Sequence, residues 1–73
     1  MAQVVIKSNS EAYKGKALAL TKDGAILHLD GLNPGLIPGE QTLVVAEESS
    51  YKGKIIFKEV HGESCRLHVR FLN

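Results

Sequence analysis

The sequence predicts an all-β fold, a small six-stranded antiparallel β-barrel in which residues 1–73 form a single domain. Two observations lead there. Six apolar or alternating segments, rich in β-branched side chains, are separated by Gly, Pro, Asn, Asp or Ser, the pattern of short strands and tight turns rather than of helices. A chain of 73 residues also buries only about 60% of the surface its unfolded form exposes, so nearly every apolar segment has to enter one core.

The first strand is read at Gln3 to Ser8, closed by the turn Ser8-Asn9-Ser10, and the second at Lys14 to Thr21. The third, Ala25 to Leu29, follows Asp23-Gly24, a two-residue loop suited to the type I′ turn whose positive φ angles match strand twist. Asp30 to Glu40 is a compact connection: Asn33-Pro34-Gly35 and Ile37-Pro38-Gly39 each place Pro before Gly, which favours a type II turn. The fourth strand is Gln41 to Ala46. Gly39 to Ser50 is the best helical candidate, but Thr42, Val44 and Val45 in its interior favour a strand. The fifth strand, Lys54 to Val60, turns through His61-Gly62-Glu63-Ser64 into the sixth, Cys65 to Leu72. Tyr13-Lys14-Gly15-Lys16 recurs as Tyr51-Lys52-Gly53-Lys54, 38 residues later. It is read as lysine beside glycine keeping the start of a strand soluble and bent, not as a duplicated unit.

The 44% apolar and 23% charged fractions belong to a soluble globular chain and exclude a disordered one. Nine Lys/Arg against eight Asp/Glu leave a formal charge of +1, so any attraction to nucleic acid or an anionic membrane has to come from a local patch. Cys65 is the only cysteine, which excludes an intrachain disulfide and a cysteine-based metal framework and fits a cytoplasmic setting. The longest apolar runs, Ala17 to Leu20 and Leu43 to Ala46, are four residues each, far short of the ~20 that a membrane helix needs.

No catalytic constellation is legible. Cys65 lies near His61 and His68 in sequence, but a lone cysteine in a strand packs as a small core residue. His28, His61 and His68 lack the helical or tight-loop spacing of metal ligands, and the seven glycines are scattered through separate turns rather than gathered in a phosphate loop. The expectation is a protein that is not an enzyme and carries no cofactor or metal.

The last strand is more informative. Along Cys65-Arg66-Leu67-His68-Val69-Arg70-Phe71 the apolar residues fall at alternate positions, so the period of two sends Leu67, Val69 and Phe71 to the core and Arg66, His68 and Arg70 to the surface. The three basic side chains then stand about 7 Å apart, a spacing suited to phosphates or acidic partners.

The run Ala19-Leu20-Thr21-Lys22-Asp23-Gly24-Ala25-Ile26-Leu27-His28-Leu29, with Pro38-Gly39-Glu40 before a strand and His68-Val69-Arg70-Phe71 near the end, resembles the PilZ domain family over roughly residues 13–72. The resemblance implies a small antiparallel barrel, and it implies cyclic di-GMP as the ligand to consider. The family grips that ligand with an Arg-x-x-x-Arg loop ahead of the barrel and an Asp/Asn-x-Ser-x-x-Gly turn on the second strand. The turn motif falls on Ala19, Thr21 and Gly24: glycine matches, Thr21 keeps a hydroxyl, and Ala19 has lost the polar group. No arginine precedes Arg66, and the family's C-terminal helix has no counterpart before Asn73.

The resulting expectation is a non-catalytic regulatory binding module that meets a protein partner through its sheet edges and the Arg66, His68, Arg70 stripe, with cyclic di-GMP binding weak or lost. No insertion into a membrane is expected, and an unpaired strand at the barrel seam would offer a route to a homodimer. The competing reading is a small β-barrel that binds single-stranded nucleic acid by stacking bases on exposed aromatics.

Overall fold

The computed structural model describes residues 2–72. Its six strands are β1 (Ala2–Ser8), β2 (Glu11–Leu20), β3 (Gly24–Asp30), β4 (Gln41–Ala46), β5 (Ser49–His61) and β6 (Ser64–Phe71), all paired antiparallel. They close in the order β1-β2-β3-β6-β5-β4, with β4 returning to β1, and no helix occurs among the described residues. The expected all-β barrel is therefore the observed fold. The seam expected to offer a free strand is closed instead, by the register Val4↔Ala46 to Lys7↔Leu43.

Alternation builds the core as the period of two requires. Val4 and Ile6 of β1, Leu27 and Leu29 of β3, Val44 of β4, Ile55 of β5, and Leu67, Val69 and Phe71 of β6 all point inward and are buried, with Cys65 among them. Leu36 joins them from the β3–β4 connection, a buried core position that lies outside every strand. The connection is compact as expected. Its second Pro-Gly turn closes from the Glu40 N–H to the Ile37 carbonyl at 3.1 Å with Gly39 at φ 98°, as type II demands. The first is not type II: the Leu36 N–H reaches the Asn33 carbonyl at 3.0 Å, but the positive φ, 47°, belongs to Asn33 and not to Gly35.

Asp23-Gly24 also departs from expectation, since neither residue has a positive φ. Thr21 organises that turn instead, its Oγ1 accepting the N–H groups of Asp23 (3.2 Å) and Gly24 (3.3 Å). Gly24 is already in β3, where a Cβ would collide with the Val69 carbonyl. The two-residue turn with positive φ at both positions is Asn9 (49°) and Ser10 (69°), between β1 and β2. Because that turn is so tight, β2 begins at Glu11 rather than at Lys14; by the same logic the Glu47-Glu48 turn lets β5 begin at Ser49.

The two Tyr-Lys-Gly-Lys motifs thus sit inside long strands, not at their starts. Each marks a bend. β2 pairs with β1 through Ala17 and with β3 from Lys16 onward, while β5 pairs with β4 through Lys54 and with β6 from Gly53 onward. Gly15 and Gly53 lie on the inner side of these bends, where a Cβ would come within 2.7 Å of the His28 carbonyl oxygen and 2.6 Å of Val69 Cγ1. A β-bulge follows each glycine, between Ala17 and Ala19 and between Ile55 and Phe57, sharpening the turn of the strand from one sheet into the next.

The likeness of the motifs extends beyond four residues to the hairpins that carry them, β1–β2 and β4–β5. Raising both members of Gln3↔Lys16 by 38 positions gives Gln41↔Lys54, which is an observed pair. The same shift carries Ile6 onto Val44, and these two residues stand opposite each other at the β1–β4 contact. The strand order makes β1–β2–β3 and β4–β5–β6 two units of like connection, but the shift of 38 stops at their third strands, where Lys16↔His28 is answered by Lys54↔Arg70. Sequence alone hid this because few side chains are shared between the units, whereas the registers are shared throughout β1–β2 and β4–β5.

Candidate functional site

The outer faces of β3 and β6 lie side by side, with Gly24↔Arg70, Ile26↔His68 and His28↔Arg66 in register. At the end nearest the Thr21 turn they form an open depression of about 550 Å³. Ala19, Ile26 and Ile56 supply an apolar surface, while Thr21, Asp23, Gly24, His68 and Arg70 also line it. The tertiary structure thus unites Thr21 and Gly24, predicted from the resemblance, with His68 and Arg70, predicted from strand alternation. Ile56 was not foreseen: it is the extra residue of the β5 bulge, turned outward and 55% exposed.

Arg66 is not brought into the depression. It is half-buried between His28 and Glu59 on the neighbouring strands, and its buried Nε has no hydrogen-bond partner among the described residues. The expected row of three exposed basic residues is therefore exposed only at Arg70. Its solvent share is reduced because β3 and β5 both flank β6, so outward residues of a central strand are shaded by their neighbours.

A polar cluster occupies the rest of this face. His61 Nε2 donates to Glu59 Oε2 at 2.8 Å, and His68 Nε2 stands 3.4 Å from Glu59 Oε1 without closing a hydrogen bond. The hydrogen bond from His61 holds the Glu59 carboxyl below its ordinary pKa, against an opposing effect of desolvation. Phe57 meets the His68 ring edge-on at 5.3 Å. No group of three His, Cys, Asp or Glu side chains among the described residues is arranged to hold a metal ion, and no helix among them is long and apolar enough to cross a membrane.

Aromatic placement bears on the nucleic-acid reading. Tyr13 and Tyr51 are half-buried against the core, Tyr51 stacking on buried Phe71 at 4.6 Å, so Phe57 is the one exposed aromatic among the described residues. A series of stacking platforms is not present there.

A second basic surface was missed by sequence reasoning. Lys14, Lys16, Lys52 and Lys54 alternate with the inward Tyr and Gly of the two motifs and so project from the opposite side of the barrel, together with Lys7 of β1. The alternation was legible; the adjacency of β2, β1, β4 and β5 was not. No family model, curated protein or solved structure matches this chain.

Proposed function

We propose that this protein is a non-catalytic regulatory binding module resembling PilZ domains, acting in the cytoplasm through contact with a protein partner. The observation that carries this reading is the depression itself: an apolar surface from Ala19, Ile26 and Ile56, bordered by Arg70, His68 and Asp23. Such a site accepts an apolar side chain of a partner, while Arg70 on its border selects an acidic group and Asp23 a basic one beside it. Ala19 places a methyl group where the family's ligand motif has a polar side chain, which supports weak or absent cyclic di-GMP binding.

The test places a photo-crosslinking residue at Ile56 and, as a control, at Val5 on the opposite face, in the otherwise intact chain. The expected result is a defined protein adduct from position 56 that is lost in Arg70→Ala. Equal labelling from both positions refutes the reading, as does micromolar binding of cyclic di-GMP in calorimetry.

A further inference from the structure

We propose that the outer face of β1, β2, β4 and β5 is a second binding surface, one that takes the phosphodiester backbone of nucleic acid without regard to base sequence. Five of the chain's seven lysines project from this face. They form a diagonal band in the order Lys16, Lys14, Lys7, Lys52, Lys54, which ends against Arg70 directly opposite Lys54. Strand rise and strand spacing set successive members about 7–10 Å apart.

Three features identify the occupant. No carboxylate of the described residues comes within 4 Å of any of these lysines, so like charges accumulate without compensation, including the directly opposed pair Lys54↔Arg70. The nearby acid Asp30 is fully exposed and stands 3.6 Å from His28. Second, the surface between these lysines has no aromatic and no exposed large apolar residue, since Val5, Leu43 and Val45 are half-buried there, and the exposed Leu18, Leu20, Ile56 and Phe57 lie farther along β2 and β5, past Lys16 and Lys54. That composition lacks the anchors of a protein interface and the inserted side chains of a membrane-bound surface. Flexible lysines acting as point charges suit phosphates spaced along a backbone. Third, the Lys-Gly-Lys pairs recur in both units, with the outward Gln3 and Gln41 beside Lys16 and Lys54, while Ala19 corresponds to Phe57 and Ala12 to Ser50.

Fluorescence anisotropy of a labelled duplex of about 20 base pairs and arbitrary sequence tests the proposal. The full chain should bind at 50 mM monovalent salt and lose about 500-fold in affinity by 200 mM if each lysine of the band neutralises one phosphate. Lys52→Gln/Lys54→Gln should reduce the logarithmic salt slope by about 2, whereas Lys22→Gln, an exposed lysine outside the band, should leave it unchanged. A single strand of the same length should bind more weakly, because no aromatic stands among these lysines to stack bases. The proposal fails if the duplex does not bind at 50 mM, if Lys22→Gln weakens binding as much as the band variant, if the single strand binds more tightly, or if vesicles containing phosphatidylserine are bound in preference to the duplex.

Discussion

At the bend of β2, the absent Cβ of Gly15 leaves room for a backbone carbonyl, that of His28 at 2.7 Å, whereas at the bend of β5 Gly53 makes room for the Val69 side chain at 2.6 Å. The tyrosines that precede these glycines diverge in the same manner. Tyr13 donates its hydroxyl to Glu11 at 3.2 Å, and partial desolvation together with that carboxylate raises its pKa; Tyr51 stacks on Phe71. Beyond the bends, Lys16 faces His28 and Ala19 faces Ile26 in one unit, while Lys54 faces Arg70 and Phe57 faces His68 in the other. The second unit's hairpin then runs on to His61↔Ser64, adding Glu59, His61 and Arg66 to the surface. Positions that bend a strand or fill the core obey one geometric rule in both units. Outward positions are released from it, and the polar cluster and much of the depression's border arise there.

The sharpest way to break this comparison is at the core. Phe71→Ala removes the partner of Tyr51 and should cost about 3–5 kcal/mol in denaturant melts, since the ring is buried and leaves a cavity. A cost below about 1 kcal/mol would mean that the second unit does not depend on its aromatic stack.

The bends come next. Gly15→Ala and Gly53→Ala should each cost about 1–3 kcal/mol through overpacking, with Gly15→Ala the larger, because a carbonyl held in a strand ladder yields less than a valine rotamer. Thermal melts giving the reverse order would show that the β2 bend is the more compliant.

Arg66 and Arg70 separate packing from charge on one strand. Arg66→Ala should destabilise by about 1 kcal/mol through its packed stem, and Arg70→Ala by less than about 0.5 kcal/mol. Equal effects would remove the distinction drawn between the shaded and the open end of the face.

The smallest effect is electrostatic and confined to the second unit. Because the folded protein lowers the pKa of Glu59, its contribution to stability is present above the ordinary carboxylate value of about 4.3 and is lost as pH falls through the depressed value. Glu59→Gln should therefore flatten the acid limb of the stability profile slightly and leave the neutral region little changed. An unaltered acid limb would mean that the His61–Glu59 contact does not persist in solution.

Much of the barrel is legible in the sequence. Alternation along β6 placed Leu67, Val69 and Phe71 in the core, and β-branched residues decided for a strand at Gln41 to Ala46, because burial of one face forces a period of two. Turn conformations were read less well: Asp-Gly permits a type I′ turn, but the Thr21 hydroxyl and the crowding of Gly24 against β6 selected another.

The sequence by itself determined the strands, the inward and outward sides of each, and the lysine-glycine-lysine pattern, because these follow from local sterics and side-chain polarity. Only the tertiary structure decided which outward sides are neighbours. Closure of β1 on β4 gathered five lysines from three strands, and the pairing of β3 with β6 carried Thr21 and Gly24 to His68 and Arg70. Those adjacencies depend on register between segments far apart in the chain, which is fixed by cooperative packing of the core and by two bends that no single strand reveals.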